Sequence, residues 1–365
     1  MPRALRAALL ALALTGSAVL TGCAGTTATT TASSKDLSAV GIPEKVDRDT
    51  VITVGAPETQ VALRLSGQID KLPFTVKWAN LSGGPQCSEA FRADSLDVCA
   101  AAEIPSIHAH WTGLDTKLVA AAFRTDPVKN PIYELGIAPG ADIDTLADLR
   151  GKRIAYSPGQ AQGALVLRIL AKAGLTKEDV KLVELPSTGD VYPTALGGRQ
   201  VDAAPLGGVN IKRYPAKYGK DGGKTIPHGL RDDPSHLWVP TDSVSDPRKA
   251  AAIREFVAYW AKAEVWVDTH PEEWIEGYYV KDQGLSREDG EYLVRTAGHP
   301  AVPGDWTRTI ADQQKTVDLL AKETGREPFD AEILFDRRYE KAGAAAIAGT
   351  GADTTGTGAG TGGGS

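Results

Sequence analysis

The chain has 365 residues, 42% of them hydrophobic and 24% charged, with a formal net charge of −6. That balance suits a folded protein of about two domains, and the acidic excess argues against a nucleic-acid partner, which would need a basic face. After the first thirty residues no stretch reaches the ~18 consecutive apolar residues of a membrane span.

Arg3 and Arg6 precede an apolar run at 7–14 and then small residues, the layout of a cleavable signal peptide over 1–22. Leu20-Thr21-Gly22-Cys23 resembles a lipobox, in which the cysteine is diacylated and becomes the new N-terminus. An ordinary secretory signal with an incidental cysteine is the alternative. Two acyl chains anchor stably where one is marginal, so the expectation is an exported protein held at the outer face of the cell membrane by lipid on Cys23. Residues 23–48 are expected to form a lipidated, flexible linker. With Cys23 taken, Cys87 and Cys99 remain in a compartment that permits disulfides and are expected to pair, two free thiols being the alternative.

From residue 51 short apolar runs alternate with helical patterns: strand at 51–54, helix at 58–66, strand at 74–78, helix at 87–93, strand at 96–100, helix at 106–111 and strand at 117–122. The middle of the chain repeats the theme, with a short helix at 144–149, a strand at 152–156, a helix at 161–173 ended by Gly174, and strands at 180–185 and 201–204. Thr176 is placed to cap the turn after Gly174. From Asp246 the pattern is helical, over 249–269, 271–280, 287–297 and 307–323, and Trp260, Trp266 and Trp274 are expected to pack its core. Residues 342–365 are almost wholly Gly, Ala and Thr, with Asp353 the one charged side chain, and read as a disordered tail. Alternating strands and helices imply parallel sheets covered by helices, with ligands beyond the C-terminal strand ends.

Four strand-to-helix loops have chemistry suited to a small ligand: 55–60, 82–85, 103–106 and 157–162. Their glycines let backbone amides approach closely, and N–H groups at a helix start attract anions. His108 and His110 lie near Glu103, but histidines two apart on a helix point away from each other, which disfavours a shared metal. There is no Gly-x-Ser-x-Gly, P-loop or His-Glu-x-x-His motif.

Glu103-Ile104-Pro105-Ser106-Ile107-His108-Ala109 resembles the Glu-x-Pro-x-x-x-Ala stretch of aliphatic-sulfonate-binding proteins, whose relatives bind nitrate, taurine or thiamine-precursor pyrimidines. The segment from Leu146 through Asp148-Leu149-Arg150-Gly151-Lys152 to Ala155, then Ala173-Gly174-Leu175-Thr176 and Val201-Asp202-Ala203, follow in that family's order. The resemblance implies an α/β, two-lobed periplasmic-binding-protein fold of type II with two crossover strands. Lobe one would be 49–130 with 232–341, and lobe two 131–231. It implies a monomeric substrate-binding component of an ABC importer, without cofactor, metal or catalysis, that delivers a small anion to permease subunits. Enzymes are known on the same fold and form the rival class.

By position the ligand-facing residues would be Glu58, Gln60, Ser82, Gly83, Glu103, Ser157, Gly159, Gln160, Gln162, Ser187, Thr188 and Asp202, with Trp238 as an aromatic wall. The chain departs from sulfonate binders at Gln160-Ala161-Gln162-Gly163, where they have a serine-rich run, and after Asp202-Ala203, where they have aromatic residues. A roomier, less aromatic pocket is expected, one that depends on amide N–H groups and hydroxyls, with no arginine in its loops.

Overall fold

The computed structural model describes residue 37 and residues 40–81, 83–232 and 234–356. The expected signal peptide and Cys23 lie outside the described residues, as does Ser82. In chain order come β1 (Val51–Gly55), α1 (Pro57–Leu65), β2 (Thr75–Trp78), α2 (Gly84–Arg92), β3 (Val98–Ala102), α3 (Ile104–Trp111) and β4 (Thr116–Arg124). After a first crossover follow β5 (Tyr133–Ile137), β6 (Arg153–Tyr156), α4 (Ala161–Lys172), β7 (Lys181–Glu184), α5 (Val191–Gly197), β8 (Ala203–Gly207), α6 (Asn210–Tyr218) and β9 (Lys224–Ile226). The chain returns through β10 (Ser235–Pro240), α7 (Thr241–Ser245), α8 (Pro247–Thr269) and α9 (Pro271–Trp274), which runs on into a π-helical turn, Ile275–Val280. It closes with α10 (Arg287–Thr296), β11 (Pro300–Ala301), α11 (Thr307–Thr324) and α12 (Ala342–Ala346).

Two mixed sheets result. The first has the order β11-β4-β10-β3-β1-β2 and the second β7-β6-β8-β5-β9. In each, one strand arrives from the far side of a crossover and runs antiparallel to both neighbours: β10 between β3 and β4, and β5 between β8 and β9. This is the two-lobed architecture with two crossover strands. Each sheet has its own apolar core, built on Ile52, Val54, Leu118 and Phe256 in the first lobe and on Leu135, Ile154, Leu196 and Leu206 in the second.

Local sequence explains the helices that frame the cleft. Pro57 stands in the first turn of α1, with Glu58 beside it and Arg64 in the last turn, so both charges suit the helix dipole. Asp246 caps α8, its Oδ1 accepting from the N–H of Arg248 at 2.8 Å and of Lys249 at 3.3 Å. Helix α4 is apolar on two faces: Leu165, Val166, Ile169 and Leu170 enter the second core, while Ala164 and Leu167 enter the first. At Thr176 the N–H and Oγ1 both donate to Asp179 Oδ2, at 2.9 and 3.1 Å, which caps the turn there.

Cys87 and Cys99 form a disulfide between α2 and β3, 12 residues apart in sequence with Cα atoms 6.3 Å apart. A loop of that length is worth about 3 kcal/mol in the chain-entropy model. Replacing both cysteines by serine is expected to lower unfolding stability by about that amount, read as a fall in the denaturant midpoint at unchanged slope. A variant as stable as the parent would remove the bridge from the stability account.

Two terminal segments differ from expectation. Residues 342–356 are not a disordered tail. Helix α12 lies on α8 because Gly343, without a Cβ, fits against Val302, Ala261 and Val257. Ile347 is fully buried, and the Val302 N–H donates to the Asp353 carbonyl at 2.8 Å. Small residues supply close approach, one isoleucine supplies burial, and strand-like backbone bonds do the rest. Nor is the end of 23–48 a free linker: Arg254 Nη2 donates to the carbonyls of Pro43 and Glu44 at 2.7 and 2.9 Å, and Arg338 Nη1 to that of Val40 at 2.7 Å.

Candidate functional site

The C-terminal ends of β1 and β3 and the start of α1 open onto a cavity of about 870 Å³ on lobe one, which Glu58, Gln60 and Gly83 line. On lobe two, the end of β8 and the starts of α4, α5 and α6 open onto a cavity of about 250 Å³, lined by Gln162 and Ser187. Tyr133 lines both. A third recess of about 300 Å³ continues past Glu58, Ser235 and Glu264 toward Arg124 and Tyr279. The first of them falls by itself in the size range of small-molecule sites.

The two crossovers hold Tyr133 in place. Asp232, on the return crossover, accepts from the N–H of Ile132 at 3.1 Å and of Tyr133 at 2.9 Å. The Leu230 N–H donates to His228 Nδ1 at 3.1 Å, so the ring proton sits on Nε2 and is donated to the Tyr133 carbonyl at 2.8 Å. Burial, reinforced by the Asp232 charge, raises the Tyr133 hydroxyl to about 12, so it stays a neutral donor in the cleft.

On lobe one the Tyr278 hydroxyl donates to Glu58 Oε1 at 3.1 Å, and burial together with Glu58 pushes its pKa upward. Tyr278 and its neighbour Tyr279 reach adjoining parts of the cleft. The widened π-helical turn is the local feature that lets two successive rings do so, and such turns recur at functional sites. Tyr278 is stacked on Trp274 with centroids 4.2 Å apart.

On lobe two, Ser157, Gly159 and Gln160 stand in the turn between β6 and α4, next to Gln162, with Ser157 buried. Gly159 has φ 76°, which favours glycine. Gly163 has no room for a side chain: an added Cβ would lie 2.1 Å from the Ser157 carbonyl oxygen. Thr188 is exposed between Ser187 and Gly189, both of which line the lobe-two cavity.

Three expected ligand residues are engaged elsewhere. Glu103 is buried, bonded to Arg168 and accepting from Thr316 Oγ1 at 3.1 Å. It borders a different cavity, of about 640 Å³, which crossover residues Val128 and Leu230 also line. Asp202 sits at the opposite ends of β6 and β8 from the cleft, where Oδ2 accepts from the Arg153 N–H at 2.7 Å and Oδ1 from Arg153 Nη2 at 2.7 Å. Trp238 is buried in lobe one, edge-on to Phe91 at 4.7 Å and opposite Cys99 in the sheet. In each case a side chain beside a cleft-forming strand points into a protein partner instead.

The cleft is also not poor in aromatic groups. Tyr133, Trp260, Tyr278, Tyr279 and Tyr192 line its parts. Most come from the crossover and the C-terminal helices, far in sequence from the loops. Glu264 was missed as well. Its signal was an acidic residue four after Trp260 on α8, which puts both on one helix face. Among the described residues no group of three His, Cys, Asp or Glu could hold a metal ion; His108 and His110 pack instead on Trp111 and Phe329.

The fold defines the class. A crystal structure of the periplasmic aliphatic sulphonate binding protein SsuA from Escherichia coli matches with a TM-score of 0.65 at 21% identity, over 80% of this chain and 92% of that one. A crystal structure of a point mutant of DszB in complex with biphenyl-2-sulfinic acid matches with a TM-score of 0.57 at 16% identity, over 82% and 99%. The model of the NMT1/THI5-like family covers residues 82–273, just over half of the chain. The chain belongs to that family. A curated Escherichia coli (strain K12) protein named for aliphatic-sulfonate binding is 32% identical over 106 residues, which span 29% of this chain and 32% of the relative's length.

Proposed function

We propose that the protein is the substrate-binding component of an ABC importer, capturing a small organic anion, sulfonate-like, between its lobes and delivering it to permease subunits as a monomer. The observation that carries this reading is the cleft itself. Loops from the strand ends of both lobes line two cavities that share Tyr133, on the first crossover between the lobes. Such crossovers serve as hinges in proteins that close around a ligand. Among the described residues no charged side chain lines the lobe-two half; its Gln162 and Asn210 lie at the starts of α4 and α6, and Ser187 in the loop before α5. Neutral donors and helix-start amides of this kind suit an anion. Placement outside the cell, on lipid at Cys23, follows from the N-terminal pattern; no described helix is long and apolar enough to cross a membrane.

The ligand-facing set becomes Glu58, Gln60, Gly83, Ser157, Gly159, Gln160, Gln162, Ser187 and Thr188, with Tyr133 and Tyr278 added. Nitrate, carboxylates and thiamine-precursor pyrimidines remain ligands for the same arrangement. An enzymatic role is a second reading, favoured by the match to the desulfurization enzyme DszB. A thermal-shift screen over sulfonates, nitrate, carboxylates and pyrimidines tests the carrier reading. A true ligand at about 100 times its Kd stabilises by ~2.7 kcal/mol. Silence from every class, or chemical conversion of a ligand that does bind, would count against it.

A further inference from the structure

The cavity of about 640 Å³ that Glu103 borders has the size of a small-molecule site in its own right. It shares no lining residue with the cavities around Gln60 and Gln162, and only Phe123 with the recess past Glu264. Both crossovers enter it, the first at Asp126–Lys129 and the second at Leu230, Arg231 and Pro234. Arg308, Asp312, Lys315, Thr316 and Leu319 also line it, spaced as one face of α11. Phe123, Pro127, Val128, Leu230, Pro234 and Leu319 give it apolar wall. The first crossover is held in a tight turn, with Asp126 at φ 50° and its carbonyl accepting from the N–H groups of Lys129 and Asn130, both at 2.9 Å. Val128 is therefore presented on fixed backbone, with 54% of its surface still open to solvent.

The charges around this apolar wall are unbalanced. Among the described residues Lys129, Arg168, Arg231, Arg308 and Lys315 line the cavity against three carboxylates, Glu103, Asp126 and Asp312. Arg168 is bonded to Glu103, and Asp312 is shared by Lys315 at 2.7 Å and Arg308 at 3.8 Å. The Arg231 guanidinium lies over the Phe123 ring, 4.5 Å from its centroid. Lys129 has no ion-pair partner among the described residues. We propose that this cavity is a second binding site, separate from the interlobe cleft, for an amphipathic monoanion. Its aliphatic chain lies along Phe123, Val128 and Leu319, and its carboxylate meets Lys129 and the neighbouring guanidinium groups. Burial of the chain supplies attraction without direction, and charge-assisted bonds to the head supply selection. The occupant touches both crossovers and helices of both lobes, so it also bears on the movement between them. Asp232, next to Arg231, holds the N–H groups of Ile132 and Tyr133, which links this cavity to a residue of the cleft.

The test uses decanoate, decanol and decyltrimethylammonium on the folded protein, each below its micellar concentration. Titration calorimetry reads affinity, and hydrogen exchange reads where the probe sits. Decanoate is expected to bind about tenfold tighter than decanol, and decyltrimethylammonium more weakly than either. With decanoate bound, exchange is expected to slow over 124–133, 228–235 and 306–320, and to stay unchanged in the cleft loops at 55–61 and 157–164. Val128→Asp sets a negative charge on the apolar wall at a solvent-exposed position, and is expected to weaken decanoate about tenfold. Lys129→Gln is expected to weaken it about threefold and to leave decanol unaffected. Equal affinity for decanoate and decanol, slowed exchange confined to the cleft loops, undiminished binding in Val128→Asp, or no binding of decanoate would overturn the proposal. Should Val128→Asp fail to fold, Lys129→Gln and the exchange map of the parent decide. None of these outcomes depends on which ligand the cleft takes.

Discussion

Replacing His236 by leucine is expected to make the protein about 3 kcal/mol more resistant to unfolding at pH 4, relative to the parent, than it is at pH 7. His236 lies on β10, the central antiparallel strand of lobe one, opposite Ala101 on one side and Ala121 on the other. It is 1% exposed, and neither ring nitrogen has a hydrogen-bond partner among the described residues. Burial lowers its pKa from 6.5 to about 3. The unfolded chain therefore takes up a proton before the folded one does. The contribution is whole above about pH 6.5 and is lost progressively as the pH falls toward 3. Leucine has no proton to take up and leaves no buried donor or acceptor unmade. Urea titrations of both proteins at pH 7 and pH 4 read the difference; an identical gap at the two values would mean that His236 does not carry this acid sensitivity.

Arg168→Ala is expected to cost about 3–5 kcal/mol, the range for removing one partner of a buried ion pair. The Glu103 side chain is 5% exposed and Arg168 21%. Arg168 bonds both Glu103 and the Thr316 hydroxyl, and Gln313 Nε2 holds the Glu103 carbonyl at 3.1 Å. Truncating the arginine leaves the buried Glu103 carboxylate without its cationic partner. The loss should be far smaller when Glu103→Leu is added, since an apolar replacement of both charges is often close to neutral. A double-mutant cycle distinguishes this from simple packing: additive losses would show that the pair is not coupled. Because α4 follows lobe two's β6 and Glu103 follows lobe one's β3, this pair also joins the lobes.

Much of the fold was legible in the residues. Apolar runs marked β1, β2, β3 and β4, and the Gly174 stop and Thr176 cap bracketed the turn after α4. The unread elements were β5, α5, α6, α7, β9, β10, β11 and α12, whose local patterns are short or interrupted: α6 contains Pro215, and β9 spans three residues. The strands among them are placed by pairing with distant strands. The loops of the cleft were also legible, because glycine and helix-start chemistry is local. Which side chains turn into the cleft was not. Glu58 and Glu103 look alike as acids beside strand ends, yet one faces the cavity with Tyr278 and the other is claimed by Arg168, 65 residues away.

The sequence alone thus determined the α/β class, the order of the strands and helices it marked, the four loops and the family resemblance, because each rests on periodicity, caps or motifs within a few residues. Only the tertiary structure decided the character of the cleft. It withdrew Glu103, Asp202 and Trp238 into partners of their own, and it brought Tyr133, Glu264 and Tyr278 in from the crossover and the C-terminal helices. Burial and charge pairing depend on what packs across a gap, and no run of adjacent residues encodes that.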